Sequence, residues 1–246
     1  INRKCLNLHN GINITNDFLK AVKDDADWRL IDPKTKEAVK TINARELWWQ
    51  IIYARAETGE PYMINIDNCN DALPQGQKDL GLEIKQSNLC SEITLATNEE
   101  RTAVCCLSSV NLEHYDKWSK DDYFIEDLIT MLDNILQHFI ENAIDTSQLG
   151  EYNANYKRFK GYVKDGKEGF TKAAYSAYRE RSLGLGAMGF HAYLQSNNIP
   201  FEGIQATGFN YKAFKHIKNK ATKASQELAD IRGEAPDVSG SGMRNA

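Results

Sequence analysis

The sequence predicts an α/β fold in which helices pack against a sheet. Three observations carry this. Helix and strand signals alternate through the first half of the chain. A 3.6-residue apolar period then runs through 121–144, with apolar residues at 125, 128, 129, 132, 136, 139, 140 and 143. The strands come early and helices fill most of the second half.

Taken in order, Thr15 reads as an N-cap and NDFLKAV behind it as a short helix. WRLID (28–32) is a short strand that ends at Pro33. INARELWWQIIYARAETGE (42–60) is helical, with Asn43 as cap and Gly59 just past the end. PYMINID (61–67) reads as a buried strand and LEIK (82–85) as another. NLCSEITLA (88–96) alternates, NEER (98–101) turns, and TAVCCLSSVNL (102–112) returns as a strand. Asp121 or Asp122 starts the long helix. TKAAYSAYRERS (171–182), GFHAYLQS (189–196) and 208–232, ending at Gly233, are further helices. Residues 150–169 read as a polar loop.

A length of 246 residues allows one large domain or two small ones. Hydrophobic residues at 41% suffice for a core. A net charge of −4 gives no global attraction to nucleic acid or to anionic membranes. No apolar run reaches the length of a membrane span and no signal peptide is visible, so the expectation is a soluble, cytoplasmic protein. The first residue is Ile and the last stretch, PDVSGSGMRNA, stops just after a Gly/Ser-rich loop. These ends read as those of a piece cut from a longer chain.

Five cysteines, Cys5, Cys69, Cys90, Cys105 and Cys106, form no CxxC pair, and the five histidines form no HxxxH or HExxH pattern. A disulfide framework and structural zinc are both disfavoured. The thiols are either core residues or redox groups.

One stretch combines three chemistries. SNLCSEI places Asn88, Cys90 and Glu92 at alternate positions. On an extended strand these would share one face. Burying them together leaves polar groups that cost roughly 1–3 kcal/mol each unless paired. Exposing them leaves a thiol in water with no structural need. A carboxylate disfavours a thiolate nucleophile, which wants positive charge nearby. The trio better suits a neutral thiol that handles hydrogen atoms, with Glu92 as a general base on an adjacent hydroxyl.

Other signals are weaker. Cys105 and Cys106 point to opposite sides if they lie on a strand, so one is a core residue and the other could be a redox partner. Gly184-Leu-Gly186-Ala-Met-Gly189 matches GxGxxG, but a helix-like stretch precedes it and no well-placed Asp follows. A tight turn and a close-packed helix start explain it better than a dinucleotide. Arg179 and Arg181 could hold phosphate or lie on an exposed helix face. Asp67-Asn68-Cys69-Asn70 sits just past a strand, where ligand loops often lie, though a turn is the default.

At SNLCSEI followed by AVCCLSS, the chain resembles the large, catalytic subunit of class I ribonucleotide reductase. The family pattern N-x-C-x-E, then a hairpin, then A-x-C-x-L corresponds here to Asn88, Cys90 and Glu92, then Ala103, Cys105 and Leu107. GEPYMINIDNCN (59–70) and RSLGLGAMGFHAYL (181–194) also resemble family segments, and the likeness runs over essentially the whole chain. It implies part of a ten-stranded α/β barrel with a helix-rich second half. Residues 1–246 would form a single partial catalytic barrel domain, truncated at both ends. The catalytic Cys of the family lies on a loop, so SNLCSEI would be less regular than a strand.

The resemblance implies radical reduction of ribonucleotides to deoxyribonucleotides. Cys90 would become the thiyl radical that abstracts the 3′ hydrogen, Glu92 the base on the 3′ hydroxyl, and Asn88 a substrate hydrogen bonder. Cys105 would be one of two reducing thiols, and Cys106 would be structural. The second reducing Cys, the phosphate-binding segment and the radical-passing tyrosine pair of the family have no counterpart here, so the piece alone should be inactive. No cofactor or metal would bind this chain. The parent would rely on a radical-generating metal centre in a separate small subunit, on nucleotide effectors and on thioredoxin or glutaredoxin. The expected partners are therefore ribonucleotide substrate, that small subunit, the thiol donor and a second copy, since a partial barrel exposes sheet edges and apolar surface. Two rival readings stay open: a non-catalytic reductase-like protein, and an NAD-binding oxidoreductase built on the 184–189 glycines. A vitamin-B12-dependent relative shares the N-x-C-x-E logic.

Overall fold

The computed structural model describes residues 8–142 and 171–245. They fall into two compact units. The first runs up to Leu73 and includes Glu83–Ala96; the second holds Pro74–Leu82 and everything from Thr97 onward.

In the first unit, strand β1 (Gly11–Ile14) leads into helix α1 (Asn16–Asp24). The Thr15 hydroxyl caps α1 by accepting the Phe18 N–H. Strands β2 (Asp27–Ile31) and β3 (Ala38–Asn43) form an antiparallel hairpin. Helix α2 (Ala44–Thr58) follows, capped by Asn43 and closed by Gly59 at φ 75°. Strand β4 (Tyr62–Asn65) returns parallel to β1, pairing Gly11 with Tyr62 and Asn13 with Ile64. Period-2 alternation turns Ile12, Ile14 and Met63 toward Phe18, Trp28, Ala44 and Ile51, which form the core of this unit. The other face of the β1–β4 pair carries Asn13 and Ile64. Helix α3 (Ile66–Asp71) then turns the chain, so the strand expected over 61–67 stops at Asn65 and DNCN is helical rather than a turn.

The second unit begins with a short helix, α4 (Gln75–Asp79). Strand β5 (Cys106–Asn111) is followed by a 3₁₀ turn and a short helix α5 (Tyr115–Trp118). Helix α6 (Phe124–Asn142) buries Ile125, Ile129, Leu132, Leu136 and Ile140, as its period requires. Helix α7 (Lys172–Glu180) is capped by Thr171. Strand β6 (Leu183–Met188) pairs parallel to β5 through a full six-residue register, from Cys106↔Leu183 to Asn111↔Met188. Helices α8 (Phe190–Ser196) and α9 (Ile204–Arg232) complete it. The core joins Val110 and Leu112 to α6, α8 and α9 through Ile129, Leu194, Phe209 and Ala213. The expected polar loop over 150–169 lies outside the described residues.

Several expectations are corrected. Residues 82–85 and 88–96 form no strand, and the strand expected over 102–112 starts only at Cys106. The glycine stretch is mostly strand. Gly184 and Gly186 lie within β6 because β5 crowds them: a Cβ at Gly184 would sit 2.5 Å from Leu107 Cδ2. Only Gly189, at φ 75°, makes the turn into α8. A dinucleotide fingerprint needs its glycines after the strand, over a helix start, and this placement removes the basis of the NAD reading. Arg179 and Arg181 are not free for phosphate. Arg181 is 1% exposed and binds Asp133 at 2.7 Å; Arg179 binds Asp237 at 2.7 Å. The described residues hold three two-stranded sheets and no closed barrel, and no described helix is long and apolar enough to cross a membrane.

Candidate active site

Asn88 makes SNLCSEI a closed loop rather than a strand. Its backbone N–H donates to the Ile93 carbonyl at 3.0 Å, and its side-chain Oδ1 accepts the Ile93 N–H at 3.0 Å. Its carbonyl accepts the Ser91 N–H at 3.2 Å and the Ser87 hydroxyl at 2.8 Å. Ser91 takes a left-handed φ of 71° at the tip. Asn and Ser favour such local bonds over a ladder. The result pinches 88 against 93 and pushes residues 89–92 outward. Cys90 and Glu92 are exposed; Asn88 is half-buried at the neck.

The loop borders a cleft of about 270 Å³ within the first unit, lined by Asn10, Asn13, Tyr62, Gln86, Asn88 and Ser91 among others. Its wall is the non-core face of the β1–β4 pair. Amides, hydroxyls and the stacked rings of His9 and Tyr62 make it a place for a polar organic molecule, at the small end of ligand pockets. Among the described residues no cluster of metal-ligating side chains occurs.

Cys105 lies in the second unit, one residue before β5. Its sulfur is over Gly184, where an added Cβ would stand 3.3 Å away. Cys106 points the other way and packs with Val104 against Leu136, Ile140 and Ala177. Burial pushes its thiol pKa up, as suits an inert core thiol. The two neighbours thus face opposite sides of the sheet.

The chain matches the family model described as "Ribonucleotide reductase, barrel domain" over residues 2–246. It belongs to the ribonucleotide reductase barrel-domain family. It is 45% identical to a putative ribonucleoside-diphosphate reductase large subunit of Frog virus 3 over the whole of this chain and 40% of that protein. It is 48% identical to the ribonucleoside-diphosphate reductase large subunit of Invertebrate iridescent virus 3, over 88% of this chain and 31% of that one. Among solved structures, the class Id ribonucleotide reductase alpha subunit of Actinobacillus ureae superposes with a TM-score of 0.74 at 34% identity, covering 96% of this chain and 38% of that subunit. The chain therefore spans less than half the length of these reductase relatives.

Two contributors to the site are not visible in the residue pattern. Asn13 and Asn70 bond to the stem of the Cys90 loop, at Lys85 and Ile84. The one available signal was the DNCN motif itself, polar residues placed directly after a strand.

Proposed function

We propose that this chain carries the catalytic loop of a ribonucleoside-diphosphate reductase large subunit and serves radical reduction of ribonucleotides to deoxyribonucleotides. The observation that supports this best is the Asn88-closed loop, which presents an exposed Cys90 thiol and the Glu92 carboxylate on one short projection. A thiyl radical on Cys90 takes a hydrogen atom from the 3′ carbon of the ribose, re-forming the S–H bond and leaving the radical on carbon. Glu92 accepts the 3′ hydroxyl proton as that radical develops. Because Oδ1 of Asn88 is committed to Ile93, its amide nitrogen is the group assigned to the substrate. Cys105 is one of two thiols that give up their hydrogens and close to a disulfide while the 2′ hydroxyl leaves as water. The 3′ carbon then takes its hydrogen atom back from the Cys90 S–H, which restores the thiyl radical.

The metal centre that generates the radical belongs to a separate small subunit in this reading, and the disulfide is re-reduced by thioredoxin or glutaredoxin. Residues 1–246 form one partial barrel domain, inactive when isolated and prone to self-association. The test uses the full-length large subunit that carries this sequence, with its small subunit and a nucleoside diphosphate. Cys90→Ser is expected to lower turnover by about a thousandfold or more, since serine cannot carry the radical, while substrate binding by equilibrium dialysis stays within about twofold. Turnover that survives the substitution would sink the assignment.

A further inference from the structure

We infer that Asn70 is a positioning residue for the Cys90 loop and that Asn13 is its partner: together these two side-chain amides replace the missing β-ladder that would otherwise hold the loop stem. The inference rests on the reading of Cys90 as the reacting thiol.

The stem, residues 84–87, has neither helix nor strand to satisfy its backbone. Buried backbone groups must find partners somewhere. Ile84, at 2% exposure, finds both of its partners in one side chain. Its N–H donates to Asn70 Oδ1 at 2.8 Å, and its carbonyl accepts from Asn70 Nδ2 at 3.0 Å. This is the two-bond exchange that a neighbouring strand residue would make, performed by an amide. A third bond, from Asn70 Nδ2 to the Ile66 carbonyl at 3.1 Å, ties the same amide to helix α3. One residue on, the Lys85 carbonyl accepts from Asn13 Nδ2 at 2.7 Å, which ties the stem to β1. The Ile84 side chain packs against Ile66 and Leu73, closing the third direction. From Ile84 to Cys90 there are only six positions, and the next cross-link is the Asn88–Ile93 closure.

The geometry assigns a division of labour. Asn88 shapes the loop; Asn70 and Asn13 fix where it stands on the unit. Hydrogen transfer between carbon and sulfur tolerates little misplacement, because reacting atoms must approach within about 3–3.5 Å. A loop hung on side-chain amides is therefore sensitive at residues outside the reacting groups: Asn70, which does not line the cleft, and Asn13, whose Nδ2 is committed to the Lys85 carbonyl although its residue borders the cleft. The DNCN motif is the part of helix α3 that supplies the clasp: Asn70 makes the hydrogen bonds, and Cys69 packs on the cluster that holds the Ile84 side chain.

The test has two arms. In the full-length subunit with its small subunit, Asn70→Ala and Asn13→Ala are expected to lower kcat about tenfold or more, with KM changed less than about threefold. Asn70→Asp, which keeps the acceptor for the Ile84 N–H, recovers part of the loss, and Asn68→Ala, exposed on the same helix, stays at the starting rate. A general folding defect would lower the amount of active enzyme without this ordering. In the second arm, amide hydrogen exchange is followed in the full-length subunit. Asn70→Ala speeds exchange at Ile84 and Ile93 while β1 and β4 stay protected. Unchanged kcat in both alanine variants, or unchanged exchange at Ile84, overturns the inference. Failure of the Cys90 assignment is seen separately, as Cys90→Ser that turns over, and leaves the exchange result standing as a structural clasp without catalytic consequence.

Discussion

Residues 84–93 carry Cys90, and the β5–β6 pair is entered through Cys105, one residue before β5; the two cysteines are assigned to one reaction, yet the two segments are secured by different means. The first has no ladder, an exposed tip and a stem held by three amide side chains, from Asn13, Asn70 and Asn88. The second has a six-residue parallel register, with Val110 at 1% exposure and helices α6, α7 and α9 behind it. Behind that pair also lies a buried ionic cluster. Asp133, on the apolar face of α6, meets Arg181 at 2.7 Å, Arg232 at 2.7 Å and Arg244 at 3.4 Å. Arg101 bridges Asp237 and, at 3.3 Å, Glu180. The contrast separates two demands on the sequence. Stability is concentrated where packing and charge pairing are dense; the proposed reactivity is placed on a segment whose position depends on a few bonds.

The largest effect that would test this contrast is at Asp133. Burial raises its carboxyl pKa, but Arg181 and Arg244 outweigh that and hold it below the usual carboxylate value. Asp133→Ala removes the acceptor shared by Arg181 and Arg232 and the carboxylate facing Arg244, and leaves the buried Arg181 guanidinium without its ion-pair partner. Such a loss costs about 3–5 kcal/mol. Chemical denaturation should show a midpoint far below that of the unsubstituted chain, with the Cys90 loop untouched. A cost under about 1 kcal/mol would mean the arginines are satisfied elsewhere and the contrast is overstated.

The next effect is pH-dependent and comes from Glu180, at 1% exposure. Burial pushes its pKa up to about 7, with Arg101 opposing and Asp237 adding to the rise. Because the folded value lies above the unfolded one, the contribution to stability is full below about pH 4.5 and is lost as pH rises through about 7. At about 1.4 kcal/mol per pKa unit this is about 3 kcal/mol. Asp133 has the opposite sign, since its contribution is lost only as pH falls below its ordinary carboxylate range. Glu180→Gln should therefore flatten the decline of unfolding free energy between pH 5 and 8 and leave the acid limb, which Asp133 sets, in place. An unchanged slope over that window would show that Glu180 is ionised throughout.

How much of this was legible in the sequence follows from the same contrast. The helices were legible because their information is local: Thr15, Asn43, Gly59 and Gly233 stand at the ends they signal, and the α6 period names its buried face. The placement of β6 was not, because glycine is a poor strand former and only the proximity of Leu107 explains why Gly184 is needed there. Alternation in SNLCSEI suggested a strand, yet the Asn88 side chain bonds its own loop and breaks the ladder. Arg181 reads in the sequence as a phosphate holder or part of an exposed helix face, since no single-residue pattern reveals that its partner is Asp133, 48 positions away. In the site, residue types were readable and their supports were not, because Asn70 acts on a segment 14 positions distant.

The smallest expected effect is on the loop itself. Cys90 is exposed and contributes to neither hydrophobic cluster of its unit. Removing one sulfur from an exposed tip leaves no cavity and orphans no buried group, so Cys90→Ser should change the unfolding free energy by less than about 0.5 kcal/mol. The same substitution is expected to abolish turnover in the full-length enzyme. A thermal melt of this chain and a turnover assay of the parent, made on one variant, therefore probe the two demands separately. If Cys90→Ser destabilised the chain by 2 kcal/mol or more, a large effect by ordinary standards, the thiol would be part of the packing, and the exposed loop would not be the reactive element that its geometry supports.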